Sequence, residues 1–329
     1  MEESEFKIAS EDIMKKAEKV ALALFGAALV LGMAACSNNV SDGSSGGGKN
    51  GNGGSVALLT VQVPAKSFDG TTAISGSEVF IAGRNLSLPA IYASDHEVTQ
   101  KEYKSYCKSS PSDTYGKGDN YPAYNVSWYD AIVYCNLRSR AEGLTPCYKL
   151  GSSNDTKNWA GIVQGTGSEA GKYRGPTDGT DAWNAITCDW NANGWRLPTE
   201  AEWEMLARGG NLTNQGQTTY SGSDTVESVA WYQTNSGWTT HEVKGKAKNG
   251  LGLYDMSGNV LEWCWDFSNT IESGTPWTGS AGASSGSNRV FRGGGYNASA
   301  DDCSVAGRSG VSPGCRDSVL CFRVVRTAN

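Results

Sequence analysis

Histidine is nearly absent from the 329 residues: only His96 and His241 occur, so imidazole-based zinc sites and Ser–His–acid catalysis have almost no raw material. Both are expected to be structural. Basic clusters are missing too. With 28 Lys and Arg against 34 Asp and Glu, the net charge is −6, which excludes the electrostatic footprint of a nucleic-acid or anionic-lipid binder. No C-x-x-C pair exists among the nine cysteines. Two G-x-S-x-G strings, at Gly43–Gly47 and Gly282–Gly286, sit in Gly/Ser-rich stretches and lack the strand–turn–helix setting of a nucleophile elbow.

What is present begins with an export signal. Met14-Lys15-Lys16 precedes an apolar run from Val20 to Val30, and Ala34-Ala35-Cys36 follows. A charged start, a short apolar stretch and small residues before an acceptor thiol predict a signal peptide over 1–35 and a lipid on Cys36. Ser37 after the acceptor favours the outer membrane or cell surface. Residues 36–55, rich in Gly, Ser and Asn, have nothing to bury and read as a flexible tether. The remaining stretch, 56–329, contains no comparable linker and reads as one domain.

Within that domain three segments start like helices. Thr99/Glu102, Ser127/Asp130 and Thr199/Glu202 each place a hydroxyl three residues before a carboxylate, the arrangement of a capping box. The second helix is expected to stop at Gly143 and the third at Gly209. Strand-like runs are short: Leu58–Val63, Glu78–Ile81, Arg289–Arg292 and Cys321–Val325. With 42 Gly and 11 Trp, the pattern is that of a loop-rich α+β domain. The eight cysteines after Cys36 are read as buried thiols or bridges, with no connectivity assigned. In the third helix Trp203 and Leu206 suit a buried stripe, while Arg196, Glu200, Glu202 and Glu204 suit an exposed or paired face.

Gly194-Trp-Arg-Leu-Pro-Thr-Glu-Ala-Glu-Trp-Glu204 and Gly252-Leu-Tyr-Asp-Met-Ser-Gly-Asn-Val-Leu-Glu-Trp263 are long, unusual strings. With the blocks at 95–103, 126–131, 143–148 and 289–294, and Phe322-Arg323 near the end, they resemble the formylglycine-generating enzyme (sulfatase-modifying factor) family across nearly the whole domain. The resemblance implies a C-type-lectin-like fold. It also implies a structural calcium ion, with Asn259 and Glu262 as ligands and backbone carbonyls completing the shell. A second family calcium site, near Val229–Tyr232, has few oxygen side chains to offer. Active members oxidise a substrate cysteine through two thiols five residues apart. Here those positions hold Ala298 and Cys303, so half of the pair is missing, and one thiol cannot build a two-thiolate copper(I) site.

The same stretch carries a different signal. Residues 292–329 contain no Lys, Glu, Gln, Met or Trp, although all five occur earlier. Asn codons mutated only at adenine give an alphabet that excludes those five. Between fixed-looking anchors (Arg292-Gly-Gly294, Cys303, Val305-Ala306, Arg308, Pro313, Arg316, Phe322-Arg323) lie Gly295, Tyr296, Asn297, Ala298, Ser299, Asp302, Ser304, Gly307, Ser309, Gly310, Val311, Ser312, Gly314, Cys315, Asp317, Ser318, Val319 and Cys321. This resembles the variable region of a diversity-generating retroelement target, as in the variable lipoproteins of Treponema. The expectation is a surface-displayed protein without catalysis that binds a protein or glycan ligand through those residues. Tyr296 is the expected anchor, with Asp302 and Asp317 supplying charge. The competing expectation is an oxidase of the same fold acting on a sulfatase cysteine.

Overall fold

The computed structural model describes residues 60–108, 114–177, 181–271 and 285–328. The leader, Cys36 and the tether to Ser55 lie outside them. Among the described residues the helices are α1 (Gln100–Tyr106), α2 (Trp128–Ala141), α3 (Asp181–Asn184), α4 (Glu200–Ala207) and α5 (Val226–Val229), set among strands of two to seven residues. The domain is mixed α/β and loop-rich.

Local chemistry accounts for the longer helices. The hydroxyls of Thr99, Ser127 and Thr199 accept from the N–H groups of Glu102, Asp130 and Glu202, whose carboxylates accept from the cap N–H in return. Gly143 and Gly209, at φ +72° and +65°, take the chain out of α2 and α4. Helix α2 is buried on every face from Trp128 to Ser139. Its polar groups are matched inside: Asn136 Nδ2 donates to the Tyr148 carbonyl at 2.8 Å, and Arg138 Nε to Glu142 at 2.7 Å.

Two sheets organise the rest. In the first, Ile91–Ser94 lies between Thr60–Val63 and Val325–Thr327 and is antiparallel to both. The second runs in the order Arg308–Val311, Arg289–Arg292, Leu261–Phe267, Leu320–Cys321, with the last pair parallel. Strand Leu261–Phe267 serves two cores because its side chains alternate. Trp263 and Trp265 join the core around α2, and Cys264 joins the core containing Trp203 and Leu206 of α4. The indole of Trp128 donates to the Cys264 carbonyl at 3.0 Å and that of Trp263 to the Val126 carbonyl at 2.8 Å, so the wide rings bury without a lost hydrogen bond.

Two expected strands differ from the fold. Glu78–Ile81 is irregular: the Ser77 hydroxyl accepts from the N–H groups of Val79 and Phe80 at 3.1 and 2.8 Å. Val79 and Phe80 are both buried, which adjacent residues of a one-faced strand cannot be. The run Cys321–Val325 divides between the two sheets, because the chain crosses from one to the other while Phe322 and Arg323 fill the space between them. The eight described cysteines are unbridged thiols.

Candidate functional site

The C-terminal stretch from Arg292 onward is fastened to the scaffold by four arginines, each against carboxylates of an earlier element. Arg292 donates to Glu200 at 3.0 Å and Glu204 at 2.5 Å, both on α4. Arg308 makes a fork to the two oxygens of Glu200 at 2.7 and 2.9 Å and reaches Glu78 at 3.2 Å. Arg316 grips Asp130 of α2 at 2.7 and 2.9 Å. Arg323 pairs with Glu262 through two contacts, one of them 2.6 Å. The remaining acid of α4, Glu202, holds Arg196 at 2.6 and 2.7 Å.

The acidic face of α4 is therefore paired but not exposed: Glu200, Glu202 and Glu204 are all within 1 % of complete burial. Fork-shaped guanidinium–carboxylate pairs meet the desolvation cost that makes an unpaired buried charge prohibitive. Burial pulls the Glu200 carboxyl upward, but Arg292 and Arg308 outweigh it and hold the group below its ordinary range.

Between these arginines the diversified positions divide by burial. Asp302, Ser309 and Ser312 are exposed. Asn297, Ala298, Ser299, Ser304, Gly307, Gly310, Val311, Gly314, Cys315, Asp317 and Ser318 are partly exposed, whereas Gly295, Tyr296, Val319 and Cys321 are buried.

Tyr296 thus corrects one expectation. It is 2 % exposed, stacked on Tyr115 with ring centres 5.8 Å apart, and its hydroxyl lies 3.0 Å from Ser318 Oγ. As placed, it supports the face from below and presents no ring to a ligand. Cys321 is likewise interior, with its thiol on the Val98 carbonyl at 3.5 Å. Asp302 and Asp317 are occupied locally. Asp302 accepts from the Ser299 hydroxyl at 2.7 Å, and Asp317 accepts from the Ser318 hydroxyl and the Val319 N–H, both at 3.2 Å.

The thiol position behaves as a core group. Cys303 is fully buried, and burial with help from Asp302 pushes its thiol up to about 12. It lies so close to Gly294, at φ +73°, that a Cβ there would come 2.6 Å from the sulfur. Ala298, at the partner position, packs its methyl against the small cluster that includes Cys303.

Asn259 and Glu262 do not fit a calcium ion in this arrangement. The Asn259 side-chain oxygen accepts from the His241 N–H at 2.9 Å, and its amide donates to Glu97 at 2.7 Å. Glu262 spends its oxygens on Arg323 and on the Trp203 indole, the latter at 2.6 Å. Hard-cation binding needs free oxygens, and these are already acceptors. Among the described residues no group of three His, Cys, Asp or Glu is placed to hold a metal ion. His96 and His241 take structural places. The first lies between Asp95 at 2.5 Å and Glu102 at 3.5 Å, and the second stacks on Trp231 with centres 3.8 Å apart.

Sequence reasoning missed Glu97. It is fully buried, accepts from Asn259 and from the Val260 N–H at 3.2 Å, and burial, with Asp255 and Glu262 nearby, drives its carboxyl far above the ordinary range. Asp255 beside it is pushed up to about 6, first by burial. Nothing in the local pattern around Asp95-His96-Glu97 marks it as interior.

The comparisons with known proteins follow the same outline. A family model, the sulfatase-modifying factor enzyme 1-like domain, matches residues 58–328. Chaperone protein LppX of Paenibacillus barcinonensis is 33% identical over 277 residues, covering 74% of this chain and 86% of the relative. A formylglycine-generating enzyme of Streptomyces coelicolor is 34% identical over 167 residues, 45% of this chain, which spans about half (52%) of that enzyme. Among solved structures, Treponema denticola variable protein 1 superimposes with a TM-score of 0.66 at 33% identity, covering 82% of this chain and 95% of that one.

Proposed function

Since the chain belongs to the sulfatase-modifying factor enzyme 1-like family, we propose that it is a non-catalytic, ligand-binding member with a C-type-lectin-like fold, presented from a membrane by a lipid on Cys36. Its binding face is the partly exposed part of residues 292–328, and its ligand is a protein or a glycan. The observation that carries the reading is the division of labour in that stretch. Its four paired arginines reach back to Glu200, Glu204, Asp130 and Glu262, while the small residues between them turn partly outward. Such a segment tolerates changes of contact residue because its path is set elsewhere. The similarity to a Treponema variable protein supports the same reading. The fold itself names no ligand.

The oxidase reading needs a second thiol where Ala298 stands and an ionisable Cys303. The test is incubation of the purified chain with copper(I), oxygen and a Cys-containing sulfatase peptide. The expected result is no peptide aldehyde and no oxygen uptake above the protein-free control. Turnover that depends on Cys303 would establish an enzyme instead.

A further inference from the structure

The loop over residues 232–241 is stitched to the diversified stretch and to the ring packed against it. The Gln233 N–H donates to the Ala298 carbonyl at 3.1 Å and the Ser236 hydroxyl to the Tyr296 carbonyl at 2.6 Å. The Thr240 N–H donates at 3.1 Å to the carbonyl of Tyr115, whose ring stacks on Tyr296. The loop is also closed on itself: the Tyr232 N–H donates to the Asn235 side chain at 2.9 Å, and the His241 ring lies 2.7 Å from the Ser236 carbonyl.

Within it Gly237 and Trp238 are consecutive left-handed residues, at φ +63° and +62°. Glycine takes that conformation freely, but a bulky side chain is strained there. Strain of this kind persists where the surroundings impose it, and it collects at functional sites. Packing does not account for Trp238. Every other described tryptophan contacts another ring or a cation. Among the described residues Trp238 contacts neither, belongs to none of the buried clusters and stays partly exposed. Its backbone is held instead, the N–H donating to the Ser236 hydroxyl at 3.1 Å.

We propose that Trp238 is an undiversified anchor of the binding face, buried by a protein partner while the diversified residues beside it set the choice of partner. This rests on the reading of residues 292–328 as that face. Tryptophan gives a large contact area with few rotatable bonds, and it dominates binding where small polar residues surround it. Asn297, Ala298 and Ser299 supply such a surround on the stitched segment. A saccharide would need paired polar groups for its hydroxyls. The carboxylates at diversified positions, Asp302 and Asp317, are already spent on Ser299, Ser318 and Val319, which favours a protein.

The probes are random peptides displayed on phage and selected on the full chain, with chitohexaose as a neutral saccharide. Each is titrated against the parent, Trp238→Asn, Trp238→Tyr and a joint exchange of Asn297, Ser309 and Ser312. Asparagine accepts the left-handed backbone without the ring. Trp238→Asn should therefore melt no lower than the parent while its Kd for a selected peptide rises at least tenfold, and Trp238→Tyr should recover part of the loss. Weakening by the joint exchange with Trp238→Asn unaffected would overturn the anchor and leave the face standing; weakening by neither would overturn both. Weakening by Trp238→Asn alone would support the anchor and count against the diversified face. A Trp238→Asn midpoint well below the parent's would make the ring a packing element. A selection that enriches no peptide, or chitohexaose binding that requires Trp238, would overturn the protein partner.

Discussion

Replacing Arg292 with alanine should lower stability by about 3–5 kcal/mol, the cost of leaving buried carboxylates without their cation. The guanidinium is completely buried. It holds Glu200 and Glu204 on one side and, on the other, donates to the Val305 and Gly307 carbonyls at 3.2 and 3.1 Å. Its loss therefore releases α4 and the turn after Cys303 together. Arg308 still pairs with Glu200, and Arg208 with Glu204 at 2.8 Å, so the remaining cations moderate the penalty without removing it. Denaturant unfolding measures the effect. An Arg292→Lys variant should recover only part of it, because one ammonium cannot reproduce the fork. A wild-type midpoint for Arg292→Ala would remove the anchoring argument.

The opposite outcome is expected on the outer face. Exchanging Asn297, Ser309 and Ser312 together for larger polar or aromatic residues should leave the melting midpoint within a few degrees, since each surface change is worth at most about 0.5 kcal/mol. The same exchange should weaken binding of a ligand held by the parent chain at least tenfold, about 1.4 kcal/mol. Ser309 sits on Arg308–Val311 opposite Phe291, where an aromatic residue suits the strand. Thermal melts and a binding titration on the same samples separate the two effects. Collapse of folding, or unchanged binding after all three exchanges, would count against a binding face at these positions.

The contrast between those variants follows what was legible in the sequence. Capping boxes at Thr99, Ser127 and Thr199 involve residues three apart, so local pattern sufficed, and the same holds for the stops at Gly143 and Gly209. The burial of Glu200, Glu202 and Glu204 was not legible, because two of the three meet arginines from the far end of the chain. A hint did exist: five arginines persist among residues otherwise small or uncharged, which a purely exposed loop does not require, and four of them are the ones paired with buried acids. Tyr296 failed as a surface anchor for a similar reason. Its partner Tyr115 belongs to a distant loop, and aromatic size alone does not tell a presented ring from a packed one. The metal ligands failed at the next level, since residue type predicted oxygens but not that Arg323, Trp203 and His241 would already occupy them.

The binding account rests on residues 292–328 being a fixed frame with exchangeable side chains. The most direct measurement is the coding sequence of this stretch from many sibling isolates, read alongside the flanking genes. The account expects substitutions concentrated at adenines of Asn-type codons, falling on positions such as Asn297, Ser304, Ser309 and Ser312. The codons for Arg292, Arg308, Arg316 and Arg323 should stay unchanged, with a reverse transcriptase gene and an adenine-rich near-copy close by. Substitutions spread evenly over arginines and scaffold, with neither neighbour present, would contradict it.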